Sequence, residues 1–183
     1  MKNDKKKNAI RFGALAVAIL IFGGIFSVWA LSTQATAEGQ VGYVQPEGIS
    51  VSAGGSDGDQ LLAPSVAGRP GQVNHPFELF NIDASDAVGA EYDAIIYLTN
   101  GADLMDDGLR YMTLDIALNN TDTNTNIGTQ TLTLENGRVN FTFKPGAIDS
   151  FGKVEITGGT YGSYTFSGNI AGPVEFMIDV EGA

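Results

Sequence analysis

The chain has 183 residues, 21 of them acidic and 10 basic, with one histidine and no cysteine. The missing cysteines exclude thiolate metal sites and cysteine catalysis. The acidic balance excludes a nucleic-acid binder, which needs a basic footprint.

The first 37 residues differ from the rest. Lys2, Lys5, Lys6, Lys7 and Arg11 make a basic start, offset only by Asp4. From Phe12 to Leu31 run 20 uncharged residues, all apolar or Gly except Ser27. As a helix at about 1.5 Å per residue, that run matches the roughly 30 Å hydrocarbon core of a bilayer. The basic flank stays in the cytoplasm and sends the C-terminal body outside. Ala35-Thr36-Ala37 is a small-x-small pattern suited to signal peptidase. Two fates are therefore open for residues 1–37: a cleaved signal peptide, or a retained transmembrane anchor. Removal leaves 146 residues with 20 acidic and 5 basic side chains, a net charge of −15. The expected location is secreted or on the cell surface, with membrane contact only through the N-terminal segment.

Residues 38–183 read as a single domain, beginning with a Gly/Ser-rich arm over 38–72. Val41 and Tyr43, then Ile49 and Val51, form two short apolar stretches around the turn signal Gln45-Pro46-Glu47-Gly48. Gly54 to Asp59 reads as a flexible loop, and Leu61 to Gly71 as irregular, with Pro64 and Pro70. Phe77 to Asp83 is strand-like. Glu91 to Thr99 has bulky residues on both faces and predicts a central strand. Ala102 to Leu109 predicts one helical turn, with Asp103 and Asp106 suited to capping. In Tyr111 to Asn119, Met112, Leu114, Ile116 and Leu118 face one way, the period of a half-buried strand. In Thr129 to Lys144, Asn136-Gly137 predicts a two-residue hairpin turn that sets Leu134 opposite Val139 and Leu132 opposite Phe141. Further strands fall at Lys153–Thr157, Tyr164–Ser167 and Val174–Glu181. The short runs and turn spacing predict an all-β, antiparallel two-sheet sandwich, jelly-roll-like, behind an N-terminal signal or anchor helix.

The chemistry is sparse. His75 is the single histidine and precedes Pro76, with no nucleophile-elbow or H-E-x-x-H motif in the chain. Glu175, Asp179 and Glu181 share one face of the last strand; they could serve a carboxylate-only hydrolase or be a solvated face. The sequence predicts a protein that is not an enzyme and holds no organic cofactor. Calcium is the one ion with candidate ligands. Asp103, Asp106 and Asp107 cluster, and Asp57 and Asp59 make a smaller pair. Asp122 sits in an Asn120-x-Asp122-x-Asn124-x-Asn126 ladder that lacks the Gly and distal Glu of a calcium loop. Asn119-Asn120-Thr121 and Asn140-Phe141-Thr142 are glycosylation sequons.

Val28-Trp29-Ala30-Leu31-Ser32, closing a Gly-containing apolar run, resembles the leader of TasA/camelysin-type secreted proteins. Arg69-Pro70-Gly71 with Phe77–Ile82 and Glu91–Leu98 is similar to the Pro-Gly turn and paired strands of that family. The resemblance implies a jelly-roll subunit of extracellular matrix filaments, as in biofilms, that donates an N-terminal strand to its neighbour. It carries over no catalytic residue. The expected function is thus a secreted structural subunit of a fibre, matrix or surface layer. Its partners would be further copies of itself or other surface proteins, and Val41, Tyr43, Ile49 and Val51 its assembly element. The alternative is a membrane-anchored adhesin or carbohydrate-binding module.

Overall fold

The structure is a computed structural model that describes residues 32–42, 46–66, 69–88, 91–147, 151–163 and 172–183. The basic start and the apolar run lie outside those residues, as do Tyr43 and the strand expected at Tyr164–Ser167. No helix among the described residues is long and apolar enough to cross a membrane.

Among the described residues, eleven strands, one short α-helix and one 3-10 turn follow in order: β1 (Ser32–Val41), β2 (Ser50–Ala53), β3 (Gln60–Val66), β4 (Gly71–Gln72), β5 (Phe77–Asp83), β6 (Tyr92–Leu98), α1 (Gly101–Asp106), β7 (Leu109–Asn120), β8 (Thr125–Thr133), β9 (Arg138–Phe143), the 3-10 turn (Pro145–Ala147), β10 (Phe151–Ser163) and β11 (Val174–Gly182). They form two sheets. One runs β3-β1-β11-β6-β9, the other β2-β5-β10-β7-β8, with β4 pairing the end of β10. The fold is all-β, as the sequence implies. The first sheet is mixed rather than purely antiparallel, because β1 runs parallel to β11, Ala37 beside Val174 and Val41 beside Ile178, whereas all described pairings of the second are antiparallel.

Period-two alternation explains the core. Val174, Phe176, Ile178 and Val180 on β11, with Met112, Leu114, Ile116 and Leu118 on β7, are all buried. They meet Ala94 and Ile96 of β6, Phe80 and Ile82 of β5, and Val154 and Ile156 of β10. At about 25 cal/mol per Å² of apolar area, this interior is the main stabilising term. β6 is central, as expected, between β11 and β9.

The hairpin expectation is corrected. Leu132, Val139 and Phe141 are buried and Leu134 packs against the core, but β8 pairs with β7 and β9 pairs with β6. The two strands lie in opposite sheets, and the turn between them is a corner. The Gly137 amide donates to Thr133 O at 2.9 Å, and Gly137 O accepts from Leu98 N at 2.8 Å. Gly137 takes φ 55°, while Asn136 Oδ1 accepts from Thr133 N. The residues that would have faced one another along a hairpin instead face across the sandwich. Each strand gains a full ladder with its own neighbour.

All these elements share two ends. β1 starts, β3 ends, and α1 and the β8–β9 corner sit at one end, here called proximal. The β5–β6 and β7–β8 connections, the start of β10 and the end of β11 lie at the other, distal end.

Candidate functional site

The feature that sets this sandwich apart is how β1 is held. It is the first described strand, yet it lies inside a sheet, with β11 on one side and β3 on the other. Its inward residues are small. Ala35 and Ala37 are buried, and a Cβ on Gly39 would stand 2.8 Å from Phe80 Cε1. Lacking that Cβ, Gly39 lets the backbone ride directly over the Phe80 ring. The strand is therefore bound chiefly through its main chain, and its small side chains fill a narrow slot.

The loop between β2 and β3 completes the slot. Antiparallel pairing with β3 runs from Ser32 beside Val66 to Thr36 beside Gln60 and then stops. From there the loop takes over. Ala37 N donates to Asp59 O at 3.0 Å, Gly58 N donates to Ala37 O at 2.7 Å, and Gly39 N donates to Asp57 Oδ1 at 2.7 Å. The loop is anchored in turn to β5. Gly54 N donates to Leu79 O at 2.7 Å, Gly55 N to Glu78 Oε1 at 2.9 Å, and Glu78 N to Ser56 Oγ at 3.2 Å. A stretch whose Gly, Ser and Asp content reads as flexible is thus a clasp between β5 and β1. The same residues that suit a loose loop supply the tight turns and the side-chain acceptors of an ordered one.

Glu78 is the electrostatic centre of the clasp. Burial pushes its carboxyl up, but the Gly55 amide, the Asn81 amide and the Lys153 ammonium together outweigh burial and hold it below the ordinary 4.5. Asn81 Nδ2 donates to Glu78 Oε1 at 2.8 Å, and Lys153 is itself paired with Glu155 at 2.9 Å. Asp83, farther along β5, is held below its ordinary 3.8 by the Ser85 amide and hydroxyl.

Compared with known proteins, the chain matches no family model and none of the curated sequences.

The expected assembly residues do not form one strand. Val41 ends β1 beside Ile178. Ile49 is buried in the following turn, and Val51 lies on β2 beside Ile82, in the other sheet. The segment read as one arm therefore spans both sheets, and the clasped strand lies upstream of it, beginning at Ser32. Its signal in the sequence is faint, because Ser, Thr, Gln, Ala and Gly carry no apolar alternation.

The calcium candidates separate. Asp103 and Asp106 are on α1, Asp107 caps it, and Asp122 lies at the distal end, in the turn after β7, where Asn120 Oδ1 accepts from its amide at 2.8 Å. Asp57 and Asp59 are taken up by the clasp. Among the described residues, no three His, Cys, Asp or Glu side chains converge as a metal-binding group. Glu175, Asp179 and Glu181 do share the outer face of β11, beside Glu38, Ile95 and Asp93 respectively. An open depression of about 300 Å³ beside Pro46 reaches Asp179 and Glu181 but not Glu175. Of the two sequons, Asn119 bonds Glu155 at 2.6 Å, whereas Asn140 is exposed on the edge strand β9.

Proposed function

We propose that this protein is an extracellular structural subunit with a jelly-roll-like sandwich, and that its copies are joined by exchange of β1. The observation that carries this reading is the β1 slot. The first described strand, which holds on largely through its backbone and sets only the small residues Ala35, Ala37 and Gly39 over the core, can be replaced by the same strand of another copy. Main-chain bonds then supply affinity and small-residue pockets supply specificity.

The two fates of the leader bear on the slot differently. Cleavage after Ala37 takes away Ser32 to Ala37, and with them every residue that pairs β1 to β3. The core beneath Ala35 and Ala37 is then open in every copy and no cleaved copy can supply those residues, so exchange of β1 belongs to the other fate. A retained leader keeps β1 whole and ties the proximal end to the membrane, since β1 begins directly after Leu31. Intact mass of the exported protein tells which chain is present.

The reading is tested by negative-stain microscopy and by a variant lacking residues 32–41. The expected result is polymer from the intact protein, none from the truncated one, and capture by the truncated one of a synthetic peptide with the β1 sequence. An intact protein that stays monomeric at high concentration, with and without calcium, overturns it.

A further inference from the structure

Four side chains stand in one row across the outer face of the second sheet. β10 runs through the middle of that sheet, with β5 and β7 on its flanks. Lys153 of β10 is beside Asn81 of β5 and Asn119 of β7, and Asn119 is beside Asn126 of β8. Their chain neighbours Phe80, Val154 and Leu118 are buried, so alternation turns the row outward. Glu155, two residues along β10, shares that face.

Glu155 ties the row together. Its Oε2 lies 2.9 Å from Lys153 Nζ, and its Oε1 accepts from Asn119 Nδ2 at 2.6 Å. One carboxylate thus touches both an amine and an amide, on residues whose Cβ atoms stand about 4.5–5.5 Å apart across antiparallel strands. From the other side, Asn126 Nδ2 donates to Asn119 Oδ1 at 3.0 Å. The group is partly covered. The side chains of Lys153 and Glu155 are 30% and 14% exposed, and Ala117, between Glu155 and Thr129 on the same face, is fully buried. A plain ion pair accounts for Lys153 and Glu155. It leaves unused the setting of Asn119, whose nitrogen sits on the acid that holds the amine and whose oxygen sits on a donor.

We propose that Lys153 and Asn119 join in an intramolecular amide bond, with Glu155 as the proton carrier and ammonia as the leaving group. Acyl transfer needs a nucleophile, an acid–base group and a donor at the developing oxyanion, and all three are in place. Glu155 Oε2 takes a proton from the Lys153 ammonium and frees the Nζ electron pair. Nζ bonds Asn119 Cγ, and the carbonyl electron pair moves onto Oδ1, where the Asn126 amide holds it. Glu155 gives its proton to Nδ2 and takes a second one from Nζ. The Cγ–Nδ2 bond breaks, its electron pair leaves with ammonia, and Oδ1 re-forms the carbonyl. The ammonia takes up the last proton as ammonium, and Glu155 ends as the carboxylate it was. Holding amine and amide side by side makes the step unimolecular. It happens once per chain, as maturation.

The bond closes residues 119–153 into a loop and fixes β7 to β10 covalently, in a chain that has no cysteine for a disulfide. It also withdraws the ammonium from beside Glu78, which keeps the Gly55 and Asn81 amides. The inference is independent of the proposed assembly.

The experiment uses the wild-type chain, folded and incubated at neutral pH, then denatured for mass spectrometry. The expected mass is one ammonia below that of the same chain's sequence. Trypsin should leave the chain uncut after Lys153 and give a branched peptide joining the segments around Asn119 and Lys153. Lys153→Arg, Asn119→Ala and Glu155→Ala should each restore the full mass. Lys153→Arg keeps the charge but loses the closed loop, so its Tm should fall by about 10 °C. A wild-type chain of full mass, cut after Lys153, overturns the proposal. So does an ammonia loss that maps to Asn136-Gly137 as a succinimide, or a branched peptide that persists in Glu155→Ala.

Discussion

Replacing Gly39 by alanine tests the seating of β1 with one methyl group. That carbon would lie 2.8 Å from Phe80 Cε1, 3.3 Å from Cζ and 3.5 Å from Leu79 O. Carbons in ordinary contact stand about 3.5–4.0 Å apart, so the ring must retreat by nearly 1 Å. Phe80 has no exposed surface into which to swing. Overpacking of this kind costs about 1–3 kcal/mol, while loss of glycine's freedom in the unfolded chain returns about 0.4–1 kcal/mol. The net expectation is a loss of about 1 kcal/mol, or a fall in Tm of about 2–5 °C for a domain of this size. Thermal unfolding followed by circular dichroism measures it, with Gly182→Ala, which meets nothing within 4 Å, as the neutral control. Phe80→Leu removes the ring edge, so the double variant should lose less than the two single losses combined. A Gly39→Ala protein that melts at or above the wild-type temperature would show that β1 does not ride over Phe80, and the slot argument would go with it.

Gly137→Val should destabilise by about 1 kcal/mol or more, because a β-branched residue must then hold the φ of 55° at the corner. Nothing lies within 4 Å of its Cβ, so the loss is purely one of backbone strain, and an unchanged Tm refutes the corner. Stability should also fall in acid. The Glu78 carboxyl titrates below 4.5 in the folded protein, so its contribution is full above that value and disappears as pH drops through the lowered one. Because the group is only partly buried and solvent screens it, the loss stays below about 1 kcal/mol. Glu78→Gln should flatten that part of the pH profile, and a profile identical to wild type below pH 5 would remove Glu78 from the clasp.

How much of this was legible in the chain depended on which interaction decided each element. Where an apolar face had to be buried, alternation was enough: β7 and β11 were readable residue by residue, and so were the inward positions of β8 and β9. Lateral neighbours were not readable in the same way. Alternation fixes which side chains point inward, but not whether a strand's hydrogen bonds go to the next strand in sequence. Asn136-Gly137 therefore suggested a hairpin where the chain turns between sheets. β3 was hidden by Pro64 on an edge strand, where a missing amide costs little. β1 and its clasp were hidden most deeply. A strand of Ser, Thr, Ala and Gly declares itself only through the ring it covers, and Phe80 is 41 residues from Gly39. The apolar leader, the strongest signal of all, concerns residues that the structure does not describe.

The parallel pairing of β1 with β11 sets the order in which this sheet can be completed. Ala37 and Val174 are neighbours in space and 137 residues apart along the chain. Contacts of such separation form late, because the entropy of closing the intervening chain must be met before they return anything. β3 and the clasp can engage β1 early, since they follow within about 30 residues. The far side of β1 has no ladder until the last strand arrives. Between those two moments the sheet lacks its middle strand and is open along two lines of backbone, β1 and β6. On the proposed exchange of β1, the length of that interval, set by topology and not by affinity, governs whether β11 closes on the β1 of its own chain or on one offered by a neighbour.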